Sequence, residues 1–139
     1  MATVTTPQRP DLDLTLPATL EAVDQACAQV KAWLTEYGLG RLCFDMSLLV
    51  REALANAVVH GCGNDPNKEI RLALAQEGDD LVMTVEDPGP GFDWRGPNRP
   101  FVDLFEEHGR GLPILRYYAA EVTYNDKGNR VTLRKPVVH

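Results

Sequence analysis

The sequence predicts an α+β fold, a two-layer sandwich in which helices cover one face of a mostly antiparallel sheet. Short segments in which polar and apolar residues alternate predict strands, and turn-like residues between two pairs of them predict antiparallel hairpins. Longer segments with apolar residues at every third or fourth position predict helices. The resulting order along the chain is strand, helix, helix, hairpin, helix, hairpin.

The first strand and the first helix are predicted near the N-terminus. Residues 11–16, DLDLTL, alternate polar and apolar positions, and Pro17 is expected to end the strand. The helix is predicted from residue 18 to residue 37, where Gly38 follows. Its buried stripe is predicted to consist of Leu20, Val23, Ala26, Cys27, Val30 and Leu34.

The second helix, predicted over 41–60, reads RLCFDMSLLVREALANAVVH and is apolar around most of its circumference. We therefore expect a central helix that packs on more than one side.

Two hairpins and a third helix are predicted in the rest of the chain. Segments 69–75 and 80–87 alternate and are separated by a Glu-Gly-Asp turn. A short helix at 112–120 carries Pro113 in its first turn, where a missing N–H is tolerated. Segments 121–125 and 129–135 flank an Asp-Lys-Gly turn.

Length and charge exclude several classes of protein. The 139 residues suit one domain, of which residues 1–10 are expected to be flexible. A net charge of −6 argues against direct binding to nucleic acid, and no apolar run is long enough to span a membrane. Because the first ten residues also lack the apolar core of a secretory signal, we expect a cytoplasmic protein. The cysteines Cys27, Cys43 and Cys62 are expected to be reduced and to fill the core.

A stripe of polar residues follows the second helix. Glu52, Asn56 and His60 are spaced four residues apart, so they lie on one face over about 12 Å. A buried amide in the apolar surroundings of Asn56 would need hydrogen-bond partners. A purely structural interpretation is open as well, in which Asn56 bonds internally, Glu52 pairs with Arg51 at the surface and His60 interacts with the helix dipole.

A second candidate motif follows the strand that ends at Asp87. Period two places Asp87 on the core-facing side, where its carboxylate needs donors from its neighbours or from a ligand. The following residues, Pro-Gly-Pro-Gly, fix two φ angles and free two others, which lets a planar ligand approach the backbone. The same string is also typical of a tight surface turn.

A third candidate motif is Gly109-Arg110-Gly111, directly before the predicted helix that Leu112 opens. The free N–H groups at a helix start bind anions, and Arg110 would add positive charge. Glycine before a helix is common, so this motif is weak by itself.

In chain order the three motifs, ExxxNAxxH on a helix, DxGxG after a strand and GxGL at a helix start, resemble the N, G1 and G2 boxes of the GHKL ATPase superfamily. The superfamily includes gyrases, heat-shock chaperones and sensor histidine kinases, and the resemblance, which runs from about residue 41 to the end, implies the Bergerat fold of histidine-kinase-like ATPases. Within it the chain is most similar to the bacterial anti-sigma-factor serine/threonine kinases. REALANAVVHG looks like their helix motif, and Glu52 stands where histidine kinases usually carry asparagine. The length leaves no room for the phosphoacceptor helix of a histidine kinase.

This resemblance implies a site for ATP and Mg²⁺. Asn56 would coordinate Mg²⁺, and Glu52 would orient or deprotonate the hydroxyl group of a substrate serine. Asp87 would accept a hydrogen bond from the adenine amino group, with Gly89 and Gly91 letting the backbone close around the base. The remaining ATP-binding residues would be His60, Gly109, Arg110, Gly111 and Leu112.

The resemblance also places an ATP lid at residues 92–108, where Arg95 and Arg99 would supply positive charge to the phosphates. The aromatic residues of this segment either anchor it to the core or contact a partner. Members of the family often carry an arginine early in the first helix, near the γ-phosphate, whereas Lys31 is the only basic residue there in this chain. Nucleotide binding is therefore implied more directly than phosphate transfer.

The resemblance implies an ATP-dependent serine/threonine protein kinase that acts as an anti-sigma factor. Such a protein binds a sigma factor or an analogous regulator, phosphorylates a STAS-domain anti-anti-sigma antagonist and so switches partners. The alternative is a nucleotide-sensing module of the same fold without transfer activity. Dimers are usual in such families, so a homodimer is also expected.

Overall fold

The structure, a computed structural model, describes residues 11–91 and 121–137. The helix predicted at 112–120 lies outside these ranges. The described strands are β1 (Leu12–Pro17), β2 (Glu69–Glu77), β3 (Asp80–Glu86), β4 (Glu121–Tyr124) and β5 (Arg130–Pro136), and the described α-helices are α1 (Leu20–Glu36) and α2 (Cys43–Asn56).

The described strands form a five-stranded sheet in the order β1-β2-β3-β5-β4, with antiparallel pairing throughout. The two hairpins are joined out of sequence order, because β5 and not β4 pairs with β3. This pairing sets Arg130 opposite Glu86, so the residues just before β5 lie beside the residues just after β3. The predicted α+β class, with helices packed on an antiparallel sheet, is confirmed.

The core lies between the sheet and the two helices. On β2 and β3, the side chains that point toward the helices are fully buried: Ile70, Leu72, Leu74, Leu81 and Met83. Leu34 from α1 and Leu49 and Leu54 from α2 are also fully buried. Truncating one of these leucines to alanine is expected to cost about 2–5 kcal/mol of stability. The second helix is buried along a broad face, although Phe44 in its first turn is 71% exposed.

Two features of α1 differ from the predicted stripe. Leu20 is 62% exposed, because it is the first helical residue and extends past the edge of the core. The helix starts there because the Thr19 side chain accepts a hydrogen bond from the Ala22 amide, as an N-cap does. Trp33, which the stripe omitted, is buried and packs on Tyr37 with 5.3 Å between ring centroids.

The region predicted as one helix over 41–60 is divided into three parts. A 3₁₀ turn at Gly40–Leu42 leads into α2, and a π-helical turn follows at Ala57–Gly61, where the Cys62 amide donates to the Ala57 carbonyl at 2.8 Å. Single π turns inside helices are common at functional sites, because they change the direction of the side chains that follow. The turn lies directly after Asn56, the expected metal ligand.

Three smaller predictions are settled by the described residues. Pro17 is the last residue of β1, so the strand ends there as predicted, in an edge strand that tolerates proline. The three cysteines are free, with Cys27 and Cys62 buried and Cys43 partly buried. Within residues 11–91 and 121–137, each helix is too short or too polar to cross a lipid bilayer.

Candidate functional site

An open pocket lies where the end of α2, the end of β3 and the hairpin between β4 and β5 meet. It encloses about 450 Å³ of empty space when the part open to solvent is included. Four residues predicted from two separate motifs line it together: Asn56, His60, Asp87 and Gly91. The fold thus brings the helix motif and the loop after β3 to one place.

Asn56 contributes a buried amide at the end of α2. The residue is only 6% exposed, and its Nδ2 atom donates to the Glu52 carbonyl at 3.0 Å. Its Oδ1 atom has no hydrogen-bond partner among the described residues. A buried acceptor without a partner is costly, and amide oxygens are among the ligands that Mg²⁺ takes. The side chain therefore fits a metal ligand.

Glu52 lies one helical turn before Asn56 and does not line the pocket itself. Its Oε2 atom is buried and has no hydrogen-bond partner among the described residues. Burial raises the pKa of Glu52 to about 7, against the opposing charge of Arg51. A carboxyl group with a pKa near neutrality suits a general base, because it accepts a proton readily near pH 7.

The surface ion pair considered for Glu52 and Arg51 is not formed. Arg51 instead bonds Asp24 of α1, with 2.6 Å between Nη1 and Oδ1. The Arg51 side chain is therefore held by α1, while one oxygen of Glu52 stays unpartnered within the described part of the chain.

Asp87 extends the inward-facing row of β3 toward the pocket. Its Oδ1 atom accepts a hydrogen bond from the Gly89 amide at 2.8 Å, and burial raises the pKa of its carboxyl group despite that bond. The local turn satisfies only part of the capacity of a carboxylate, which has two oxygens and about four lone pairs. The arrangement suits recognition of a ligand that carries hydrogen-bond donors.

Three glycines hold the loop after β3 against its surroundings. A Cβ atom on Gly61 would overlap the Asp87 carboxyl group, and one on Gly89 would overlap the Gly61 carbonyl. Gly91 has a φ of +78°, and a Cβ atom there would overlap the Lys127 carbonyl. The predicted close approach of the backbone at Gly89 and Gly91 is thus made within the protein, against the π turn on one side and the β4–β5 hairpin on the other.

Two residues that shape the pocket, Gly61 and Asn129, were not predicted as site residues. Gly61 received no role, although its place directly after the helix motif was visible. Asn129 also lines the pocket, and its backbone carbonyl accepts from the Asp87 amide at 3.0 Å, while its Nδ2 donates to the Asp87 carbonyl at 2.9 Å. No local pattern signals this contact, because it depends on the pairing of β5 with β3.

Several predicted site residues lie outside the described ranges: Arg95, Arg99, Gly109, Arg110, Gly111 and Leu112, together with the lid segment 92–108. Among the described residues, His60 lines the pocket with an exposed side chain. No group of three or more His, Cys, Asp or Glu side chains in residues 11–91 and 121–137 is arranged to hold a metal ion. A metal at this pocket would depend on Asn56 and on oxygens from water and from the ligand.

The sequence matches a known protein family over most of its length. The family described as the histidine kinase-like ATPase domain matches residues 16–135.

Curated relatives are 28–33% identical to this chain over about 100 aligned residues. The anti-sigma F factor of Geobacillus thermodenitrificans strain NG80-2 is 30% identical over 100 residues, which cover 67% of this chain and 68% of the relative. The anti-sigma F factor of Anoxybacillus flavithermus is 28% identical over 99 residues, 68% of each chain. The serine-protein kinase RsbW of Bacillus subtilis strain 168 is 33% identical over 100 residues, covering 66% of this chain and 62% of the relative.

A solved structure shares the fold. The histidine kinase domain of the blue-light-activated histidine kinase from Erythrobacter litoralis EL346 superposes with a TM-score of 0.52 and 21% identity. The match covers 87% of this chain and 61% of the other, so this chain spans less than two thirds of that kinase.

Proposed function

The chain belongs to the histidine kinase-like ATPase domain family, and we propose that it is an ATP-dependent serine/threonine protein kinase that acts as an anti-sigma factor. One observation carries the proposal. Asn56 and Glu52, on successive turns of α2, each present a buried oxygen without a partner among the described residues. Phosphoryl transfer to a hydroxyl group uses a metal ligand and a general base, which Asn56 and Glu52 would supply.

We propose that the pocket binds ATP with its adenine at Asp87. The Asp87 carboxylate would accept the hydrogen bond of the exocyclic amino group, and the loop through Gly89 and Gly91 would cover the base. Asn56 Oδ1 would hold Mg²⁺, which neutralises charge on the phosphates when it is bound. The residues predicted for the lid and the phosphates keep their proposed roles within a single domain that spans residues 1–139.

In the proposed reaction Glu52 acts as the general base. The substrate hydroxyl would give its proton to Glu52 Oε2 as its oxygen forms a bond to the γ-phosphorus and the bond to ADP breaks. A pKa of about 7 leaves a large fraction of Glu52 ionised at neutral pH and ready to take that proton. The carboxylate lies one turn from the metal ligand, so it would face the γ-phosphate end of a nucleotide whose base lies at Asp87.

The names of the relatives support a proposal about partners, because several are called anti-sigma F factors. We propose that this chain binds a sigma factor or an analogous regulator. Its phosphorylation substrate would be a STAS-domain anti-anti-sigma antagonist, which loses its hold on the kinase once it is phosphorylated. The homodimer remains a prediction.

A phosphotransfer assay tests the kinase proposal. Purified protein is incubated with Mg·ATP and the STAS-domain antagonist from the same genome, and phosphoserine and phosphothreonine are measured by mass spectrometry. We expect a single phosphorylated site, lost in Glu52→Gln and retained in Glu36→Gln, a matched change at an exposed glutamate at the end of α1. Absence of phosphate on the antagonist, or equal transfer by Glu52→Gln and the wild type, would overturn the proposal.

One observation favours a second candidate, a nucleotide-sensing module without transfer activity. Lys31 is the only basic residue in α1, where the family often carries an arginine near the γ-phosphate. Such a module would show a Mg²⁺-dependent rise in melting temperature with ATP while no phosphate moves to the antagonist. The two candidates thus agree on binding and differ only in transfer.

A further inference from the structure

The hairpin between β4 and β5 contacts both ends of the loop that follows β3. At one end, Asn129 exchanges two hydrogen bonds with the main chain of Asp87. At the other end, Gly91 packs on the Lys127 carbonyl closely enough to exclude a Cβ atom. The position of the loop is therefore set by the hairpin and not only by β3.

Within the hairpin, Asn125 fixes the side chain of Asn129. Asn125 Nδ2 donates to Asn129 Oδ1 at 2.7 Å, so both ends of the Asn129 amide are engaged inside the protein. The Asn125 amide is oriented in turn, because its Oδ1 atom accepts from the backbone amides of Gly128 at 2.9 Å and of Arg130 at 3.1 Å. The result is a continuous series of hydrogen bonds from the hairpin turn to the Asp87 carbonyl.

This series of bonds acts on the residue that would recognise the base. The position of the Asp87 main chain sets the direction in which the carboxylate points. Asn129 forms hydrogen bonds with both the N–H and the C=O group of that main chain. Discrimination by hydrogen bonding needs a group held within a fraction of an ångström of its place. A free main chain at residue 87 would let the carboxylate turn away from an amino group.

We propose that Asn129, which Asn125 orients, is a positioning residue for base selectivity. It holds the Asp87 carboxylate in the place where it accepts a hydrogen bond from the exocyclic amino group of adenine. Guanine presents a carbonyl oxygen at that place, which a carboxylate repels. The inference rests on the proposed function, because it takes the pocket to bind ATP. Asn129 acts through Asp87, since its own amide is already bonded at both ends.

The test measures the affinities of Mg·ATP and Mg·GTP by calorimetry for the wild type, Asn129→Ala, Asn129→Asp and Asn125→Ala. Asn129→Asp keeps the shape but sets an oxygen against the Asp87 carbonyl. We expect the two Asn129 variants to lose about tenfold in ATP affinity with little change for GTP, and Asn125→Ala to show a smaller loss in the same direction. Asn67→Ala, in an exposed turn before β2, is the matched control and should bind like the wild type.

Base selectivity separates positioning from a general loss of stability. The inference would be overturned if all three variants lost equal affinity for ATP and GTP, or if their preference for ATP were unchanged. In either case, ATP binding by the wild type would still uphold the proposed function. A wild-type protein that binds neither nucleotide would instead overturn the proposed function, and the selectivity with it. Melting temperatures recorded without nucleotide confirm that each variant used is folded.

Discussion

Gly61 lies against the carboxyl group of Asp87 so closely that a Cβ atom at position 61 would stand 2.6 Å from Asp87 Oδ1 and overlap the rest of the group. The two residues belong to different motifs, one at the end of the π turn and the other after β3. Their contact joins the helix that carries the expected metal ligand to the loop that carries the expected base-binding carboxylate. A small displacement of Gly61 should therefore move the Asp87 carboxyl group, and the reverse.

A methyl group at position 61 should displace Asp87 and weaken nucleotide binding. We expect Gly61→Ala to lower the affinity for Mg·ATP by about tenfold or more, because a hydrogen bond to a charged group contributes roughly 1.5–3 kcal/mol when it is well placed. Gly40→Ala is the matched control, since a Cβ atom there meets nothing within 4 Å. Calorimetry on both variants checks this, and wild-type affinity in Gly61→Ala would contradict it.

Removing the negative charge of Asp87 should weaken ATP binding without lowering the stability of the fold. Asp87→Asn keeps the shape but turns one arm of the group into a donor, so ATP affinity should fall by about 10- to 100-fold. Burial raises the pKa of Asp87 and so disfavours its charged form, which means that the variant should be at least as stable as the wild type at neutral pH. A melting temperature well below that of the wild type would show that Asp87 mainly supports the fold.

Glu52 should make the protein less stable as the pH rises toward neutrality. Its pKa is about 7 in the folded state against an ordinary value of 4.5, so between these pH values the folded state holds a proton that the unfolded chain has lost. The corresponding stability is present in full below 4.5 and is lost as the pH rises through about 7. The melting temperature of Glu52→Gln, relative to the wild type, should therefore rise between pH 5 and pH 8.

A flat difference between these two proteins across that range would contradict the raised pKa of Glu52. Glu36→Gln, at an exposed position, serves as the control for adding an amide at the surface.

Arg51 should tune the pH dependence of phosphate transfer. Its charge lowers the pKa of Glu52, so Arg51→Gln should move the midpoint of the rise in transfer rate with pH to a higher value. The lost ion pair with Asp24 should cost less than about 1 kcal/mol, because both side chains are more than half exposed. Asp24→Asn breaks the same ion pair but keeps Arg51. An equal shift of the midpoint in both variants would contradict a direct effect of the Arg51 charge.

Much of the fold could be predicted from local patterns. Alternation located the described strands to within about two residues, since one face of each strand is buried and the other is not. The predictions were wrong where the spacing of apolar residues does not determine burial or the helix type. Leu20 fits the stripe of α1 but extends past the core, and the π turn after Asn56 interrupts a run of residues that an ideal helix would continue.

The site could be predicted only in part. Asn56 and Asp87 stand out because each is a polar residue in an apolar pattern, and the structure places both at the pocket. Asn129 could not be found in this way, because its contact with Asp87 spans 42 residues and depends on strand order. Gly61 likewise acquires its importance only from what the fold sets against it.

The central claim is that this pocket binds ATP at Asp87 and its metal ion at Asn56. Calorimetric titration of ATP in the presence and absence of Mg²⁺, on the wild type and on Asn56→Ala, tests it most directly. The account predicts that Mg²⁺ strengthens ATP binding to the wild type and that Asn56→Ala, still folded, loses most of this Mg²⁺-dependent gain. Binding that is absent in the wild type, or a gain from Mg²⁺ that persists in Asn56→Ala, would contradict it.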